Sequence, residues 1–314
     1  MHQSLGRRHW AVAAAAFMAA AVLGACGHSP AHGPARDVGG VKMNDVNGMS
    51  GMDGMDGMDM AEPSGPKIAA AVPGDNGLNG GVGGYSYVAD AATLSAGSPA
   101  PFTFHITGPG GKAVTRFEPY EGQLLVFYVA RADLGTFHRL TASMREDGTW
   151  TVPMPALTAG AYRTYITFAT PDSSAGTPLT YSLSHSLTVP GDPAKTDLAP
   201  AADTAAVDGY TLRLTGAAHQ GTDTDLGVVV TKNGQPVQQF GRILDGYAHL
   251  TAVHSGDDAF TRGLSTGRSG GGAGGAGALT AKIRFPEPGK WRLFVEFETS
   301  GVAHTAAFTV EVSQ

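Results

Sequence analysis

The feature that most constrains the fold is an internal repeat. Residues 160–168 read Gly-Ala-Tyr-Arg-Thr-Tyr-Ile-Thr-Phe, and residues 289–297 read Gly-Lys-Trp-Arg-Leu-Phe-Val-Glu-Phe. Both copies alternate side-chain types with a period of two, which is the period of a β-strand. A second constant spacing takes Phe137 to Phe260 and Arg139 to Arg262. The chain therefore contains two copies of one β-domain.

The rest of the repeat region has the pattern of short strands separated by turns. Residues 102–107 alternate apolar and polar side chains, and residues 123–130 form a nearly continuous apolar run. Gly-Pro-Gly-Gly at 108–111 and Asp147-Gly148 are turn sequences. No helical period follows the first 26 residues. The pattern predicts an all-β fold of two tandem Ig-like or cupredoxin-like Greek-key β-sandwich domains after a disordered N-terminal tether.

Composition shifts along the chain predict the domain boundaries. Residues 26–80 are rich in Gly, Pro, Ala, Asp and Met and lack apolar periodicity, which is typical of a disordered tether. A Pro/Ala/Asp-rich stretch at 191–207 is the expected linker. We therefore expect a signal peptide at 1–25, the first sandwich at 81–190 and the second at 208–314.

The N-terminus has the features of an export signal. Arg7 and Arg8 precede an apolar run at 11–23, which is too short to span a membrane. The run ends in Leu-Gly-Ala-Cys, and Cys26 is the single cysteine of the chain. This ending resembles a bacterial lipobox, in which the cysteine is lipidated and becomes the new N-terminus. We predict a lipid anchor at Cys26 on the extracytoplasmic face of the cell membrane. An ordinary signal peptide and twin-arginine export are the alternatives.

Within the tether, methionine recurs at every third position from Met49 to Met58, and Met60 follows two residues later. Thioether sulfur is a soft ligand suited to Cu(I), and the intervening aspartates attract cations. The pattern resembles the tandem methionine motifs of bacterial copper-handling proteins, and it predicts a Cu(I) site. The alternatives are a low-complexity repeat with no ligand, and methionines that are oxidised sacrificially or as a sensor. The candidate ligands are Met49, Met52, Met55, Met58 and Met60.

The two repeats resemble a group of actinobacterial secreted proteins and lipoproteins. The resemblance rests on residues 126–134, 137–142, 147–150 and 160–168 and on their counterparts in the second copy. Repeats of that group read roughly His-Leu-x-Val-Val-x-x-Asp-Leu, Phe-x-His-Leu-His-Pro, Asp-Gly-x-Trp and Gly-x-Tyr-Arg-x-Phe, and they often occur in metal-resistance contexts. The resemblance implies a tandem β-sandwich fold and an extracytoplasmic location.

This chain departs from that group at the histidines. The paired histidines of the motif fall on Arg139 and Thr141 in the first copy, and on Arg262 and Leu264 in the second. The leading histidine is retained only as His249. The departures argue against a metal site shared by both sandwiches, and they leave His249 as the candidate metal ligand within the sandwiches.

The charge of the chain and the motifs it lacks exclude several classes of function. The net charge is −6 and no basic block occurs, so we expect no nucleic-acid partner. One cysteine excludes an intrachain disulfide and a zinc ribbon. Hydrolase, zincin, P-loop and Rossmann motifs are absent from the sequence, and we expect no enzyme. Two hypotheses follow. The protein is a lipid-anchored Cu(I)-binding protein, or its sandwiches bind a partner protein or an envelope component.

Overall fold

The computed structural model describes residues 70–71, 75–171, 178–194, 196–269 and 278–314. All regular secondary structure within this part of the chain is β-strand, so the predicted all-β class is confirmed. The described residues include no helix long and apolar enough to cross a membrane.

The first sandwich consists of two five-stranded sheets. Their strand orders are β1-β10-β9-β5-β6 and β2-β3-β4-β8-β7. The strands, in chain order, are β1 (Ala70–Ala71), β2 (Gly81–Val82), β3 (Tyr85–Ala89), β4 (Ala100–Thr107), β5 (Leu125–Arg131), β6 (Phe137–Leu140), β7 (Ser143–Met144), β8 (Thr149–Met154), β9 (Gly160–Thr170) and β10 (Leu179–Val189).

The second sandwich repeats this plan with one continuous sheet. Its order is β11-β12-β13-β17-β16-β15-β18-β19, and β14 pairs with β13. The strands are β11 (Thr204–Val207), β12 (Tyr210–Thr215), β13 (Asp223–Lys232), β14 (Gln235–Pro236), β15 (Ala248–His254), β16 (Phe260–Ser269), β17 (Ala278–Arg284), β18 (Gly289–Thr299) and β19 (Val302–Val312).

One long strand explains why the second sheet is continuous. Strand β16 pairs with β15 through its first residues and with β17 from Gly263 onward, with an irregularity between Ser265 and Gly267. Such irregularities bend a strand and let it pass from one layer to the other. In the first copy the same stretch is divided into β6, which pairs with β5, and β7, which pairs with β8.

Each sandwich has its own core, built by strand alternation. In β4, Phe102, Phe104 and Ile106 are buried, whereas Thr103 and His105 between them are half-buried on the opposite face. Burying one such aromatic side chain contributes up to about 3 kcal/mol. The second core contains large side chains contributed by β17, β18 and β19, including Ile283, Trp291, Leu293, Phe297 and Phe308.

The ordered first sandwich includes residues that the sequence analysis assigned to the tether. Strand β1 lies parallel to β10, with Ala70 opposite Leu179. The Ser182 N–H donates to the Asp75 carboxylate at 2.8 Å, and the Ser184 N–H donates to the carbonyl of Asn79 at 3.0 Å. Strand β10 would otherwise be a bare sheet edge, and backbone donors of an edge strand need partners. The end of the expected linker likewise forms β11 of the second sandwich.

Candidate functional site

The two sandwiches meet through an apolar face, which we call the inter-sandwich interface. The Phe137 and Phe294 rings stack with centroids 4.1 Å apart, and the Tyr165 and Phe260 rings stack at 4.4 Å. In the repeat, Phe137 corresponds to Phe260 and Tyr165 corresponds to Phe294. The two stacked pairs are therefore related by a pseudo-two-fold axis, as in a symmetric dimer interface. The buried side chains of this interface are Val126, Tyr128, Ala130, Leu134, Tyr165, Val253, Phe260 and Phe294.

Beside the aromatic pairs lies a group of charged and polar side chains, which we call the ionic cluster: Glu121, Arg139, His249, Arg262 and Glu296. Arg139 Nε donates to both carboxylate oxygens of Glu296, at 3.1 and 3.0 Å. Arg262 Nη1 lies 3.3 Å from Glu121 Oε1. Each sandwich thus contributes one arginine, and each arginine faces a glutamate of the other sandwich.

The repeat explains how the two ion pairs arise. Arg139 on β6 and Arg262 on β16 occupy equivalent positions. The glutamate that Arg139 meets, Glu296 on β18, corresponds to Thr167 in the first copy, which offers no charge. Arg262 instead meets Glu121, which lies in a turn and has a left-handed φ of 52°. The second ion pair therefore depends on a loop of the first sandwich.

His249 lies inside the ionic cluster and is 3% exposed. Burial, followed by the charges of Arg262 and Arg139, holds its pKa well below the ordinary value of 6.5. The ring is therefore neutral at pH 7. The Tyr128 hydroxyl, which burial keeps protonated by raising its pKa, is hydrogen-bonded to His249 Nε2 at 2.8 Å. His249 Nδ1 faces Glu121 Oε2 at 3.6 Å.

The neighbours of His249 determine whether its ring nitrogens are available to a ligand. One ring nitrogen is engaged by Tyr128 and the other faces Glu121, while the two nearby arginines repel a cation. Burial raises the pKa of Glu121 and Glu296, and the arginines oppose this rise. The charges are matched pairwise across the interface, so the chemical role that this arrangement supports is to hold the two sandwiches together.

A small cavity of about 170 Å³ adjoins the ionic cluster. It is smaller than the roughly 300–1,000 Å³ of a site for an organic ligand. Its volume suits a few water molecules. The side chains of Tyr120, Glu121, Asp245, His249 and Leu264 contribute to its lining.

The other candidate residues lie outside the described part of the chain. They are the lipidation candidate and the methionines of the tether: Cys26, Met49, Met52, Met55, Met58 and Met60.

Sequence reasoning missed the inter-sandwich interface and four of the five members of the ionic cluster. A signal was present, because alternation along β18 places Phe294 and Glu296 on the face opposite Trp291 and Leu293. Arg139 and Arg262 also recur at equivalent positions. When large or charged side chains recur at equivalent positions on the outer face of both copies, that face is expected to pack against another surface. The identity of the covering surface needed the three-dimensional structure.

Comparison with solved structures finds proteins of low similarity, among them two bacterial surface proteins and a titin fragment. The Escherichia coli adhesin FdeC is 14% identical, with a TM-score of 0.24, and the match covers 73% of this chain and 64% of that one. Domains 4–9 of the surface layer protein SbsC are 15% identical, with a TM-score of 0.22, covering 73% and 31%. The titin Z1Z2 domains are 15% identical, with a TM-score of 0.18, covering 73% and 96%.

The chain spans less than two-thirds of the adhesin and surface-layer chains. Comparison with curated protein sequences gives no match. Residues 205–314, which comprise nearly all of the second sandwich, match a family described as a domain of unknown function, DUF8832.

Proposed function

We propose that the chain is a non-enzymatic interaction module held on the extracytoplasmic face of the cell membrane by lipid on Cys26. The observation that carries the proposal is the inter-sandwich interface. Its stacked aromatic pairs and its two ion pairs join the sandwiches into one unit, which suits a protein that presents its surface in a fixed arrangement. The side chains of the ionic cluster are buried or half-buried, and each arginine lies against a glutamate of the other sandwich, as in a structural joint. The partner would be a secreted protein or an envelope component.

The anchor is tested by fractionation. Cys26→Ser removes the lipidated thiol, so we expect the protein to move from the membrane fraction to the soluble fraction. Metabolic labelling with a palmitate analogue should mark the wild type and leave the variant unlabelled. A variant that remains in the membrane fraction, or a wild type without label, would contradict the anchor.

The interaction role is tested by binding to isolated cell envelopes. Saturable retention of the full chain is expected, and excess unlabelled protein should compete for it. Retention that never saturates, or that excess protein does not reduce, would contradict an interaction module.

A second activity, Cu(I) binding by the tether, is supported by the methionine repeat. The full chain in detergent is titrated with Cu(I) against a chromogenic chelator. The matched variants replace the five methionines at 49, 52, 55, 58 and 60 by leucine, or replace only Met144 in β7. We expect the variant with five leucines to lose the Cu(I) binding that the wild type and Met144→Leu retain. Equal binding by all three proteins would remove the tether as the site.

A further inference from the structure

A second group of candidate metal ligands lies at one end of the second sandwich, away from the ionic cluster. His254 ends β15, Asp257 lies in the turn before β16, and Glu287 lies in the turn before β18. One nitrogen or oxygen atom from each residue lies within 4.8 Å of the others. His254 Nδ1 is 2.7 Å from Asp257 Oδ1. His254 and Glu287 are half-buried, and Asp257 is exposed.

The first sandwich shows what occupies the equivalent place. Arg131 ends β5 as His254 ends β15, and the residues paired with them, Tyr162 and Trp291, correspond in the repeat. The Arg131 guanidinium donates to the carbonyls of Ala159 at 3.1 Å and Ala194 at 2.8 Å. It also lies 3.4 Å from the Asp133 carboxylate. The first copy therefore places a permanent positive charge at this end of the sandwich.

A glycine makes room for these side chains in both copies. A Cβ at Gly160 would lie 2.7 Å from Arg131 Nε, and a Cβ at Gly289 would lie 2.9 Å from His254 Nε2. Arg131 and His254 thus occupy equivalent spaces, each left free by the absence of a side chain at a glycine. The second copy differs in its side chains, because an imidazole replaces the longer guanidinium and carries no permanent charge. The carboxylates of Asp257 and Glu287 lie beside the imidazole.

We propose that a divalent transition metal ion of the Zn²⁺ class binds to His254, Asp257 and Glu287, supplying in the second sandwich the positive charge that Arg131 supplies in the first. One imidazole and two carboxylates are ligands that Zn²⁺ accepts, and three protein ligands leave a coordination position open. Ca²⁺ prefers six to eight oxygen ligands, which this group does not offer. The site is independent of the proposed Cu(I) tether, whose candidate ligands are the soft thioether sulfurs of methionine.

The test is metal binding by the full chain in detergent. Zn²⁺ affinity is measured by competition with a chromogenic chelator, and Co²⁺ replaces Zn²⁺ so that its d–d absorption reports nitrogen and oxygen ligands. We expect one ion per chain. Each of His254→Gln, Asp257→Asn and Glu287→Gln should weaken binding at least about tenfold, since even residues that only orient a ligand change affinity by roughly 10–100-fold.

Matched controls lie on the same sandwich. His219 and Glu311 are exposed and lie outside the group, so His219→Gln and Glu311→Gln should bind Zn²⁺ as the wild type does. The chain with leucine in place of the five tether methionines should also retain Zn²⁺, which separates this site from the tether. At one fixed Zn²⁺ concentration, the rise in Tm should be larger for the wild type than for Glu287→Gln. Absence of Zn²⁺ binding by the wild type, or equal affinity in the site variants and the controls, would overturn the proposal.

Discussion

Replacing Arg139 by methionine tests whether the ionic cluster holds the two sandwiches together. Methionine keeps much of the side-chain volume but removes the charge that faces Glu296. The Glu296 side chain is 8% exposed, so its carboxylate would be left buried without a partner. Breaking a buried ion pair on one side typically costs about 3–5 kcal/mol, because the remaining charge is not compensated.

The structure allows this cost to be bounded. Glu296 can avoid the buried charge by taking up a proton, which the unfolded chain holds with the ordinary pKa of 4.5. Protonating Glu296 costs about 1.4 kcal/mol for each pH unit above 4.5, which is about 3 kcal/mol at pH 7. The unpaired carboxylate of Glu296 can therefore lower the free energy of unfolding by no more than about 3 kcal/mol. At pH 5 the same reasoning gives less than about 1 kcal/mol. Without Arg139, the pKa of Glu296 is higher in the folded than in the unfolded state. Low pH therefore favours the folded variant, and its loss of free energy of unfolding grows as the pH rises.

The assay is urea unfolding of the full chain at pH 5 and pH 7. Arg139→Met should lose about 3 kcal/mol at pH 7 and much less at pH 5, and adding Glu296→Leu should restore most of the loss. Arg213→Met is the matched control, because Arg213 lies 3.7 Å from Asp203 with both side chains more than half exposed. Such pairs contribute less than about 1 kcal/mol. A loss below about 1 kcal/mol at pH 7, or equal losses at both pH values, would refute the reasoning.

Three further predictions concern the same structure. Phe260→Ala removes a ring that stacks on Tyr165, so we expect urea unfolding to show a loss of about 3–5 kcal/mol. Folding lowers the pKa of His249, so below pH 6.5 the free energy of unfolding of the wild type should fall by up to about 1.4 kcal/mol per pH unit relative to His249→Gln. Free energies of unfolding that depend on pH in the same way for both proteins would contradict this. Gly160→Ala, whose Cβ would lie 2.7 Å from Arg131 Nε, should lower the Tm more than Gly97→Ala, which meets no atom within 4 Å.

The sequence determined the fold class and the tandem arrangement, because both depend on local patterns. Alternation in residues 102–107 placed Phe102, Phe104 and Ile106 in a core, and the structure buries all three. The repeat of residues 160–168 at 289–297 predicted equivalent strands, which are β9 and β18. Side-chain period and turn residues are properties of neighbouring positions, so they can be read without knowing the rest of the fold.

The candidate site followed from the sequence only in part. His249 was singled out because it is the one position that keeps the leading histidine of the repeat. The sequence did not show that Tyr128 would form a hydrogen bond with it, since Tyr128 belongs to the other sandwich. Nor did it show that residues 75–80 would cover β10, because their composition is that of a flexible segment.

Only the tertiary structure decided which faces of the two sandwiches meet. Arg139 and Glu296 are far apart in the chain and come together because two separate sheets pack against each other. His254, Asp257 and Glu287 converge because two turns lie at the same end of one sandwich. Alternation states which side of a strand a residue occupies, but not what lies opposite that side. That depends on long-range packing, where charge, burial and shape are satisfied together.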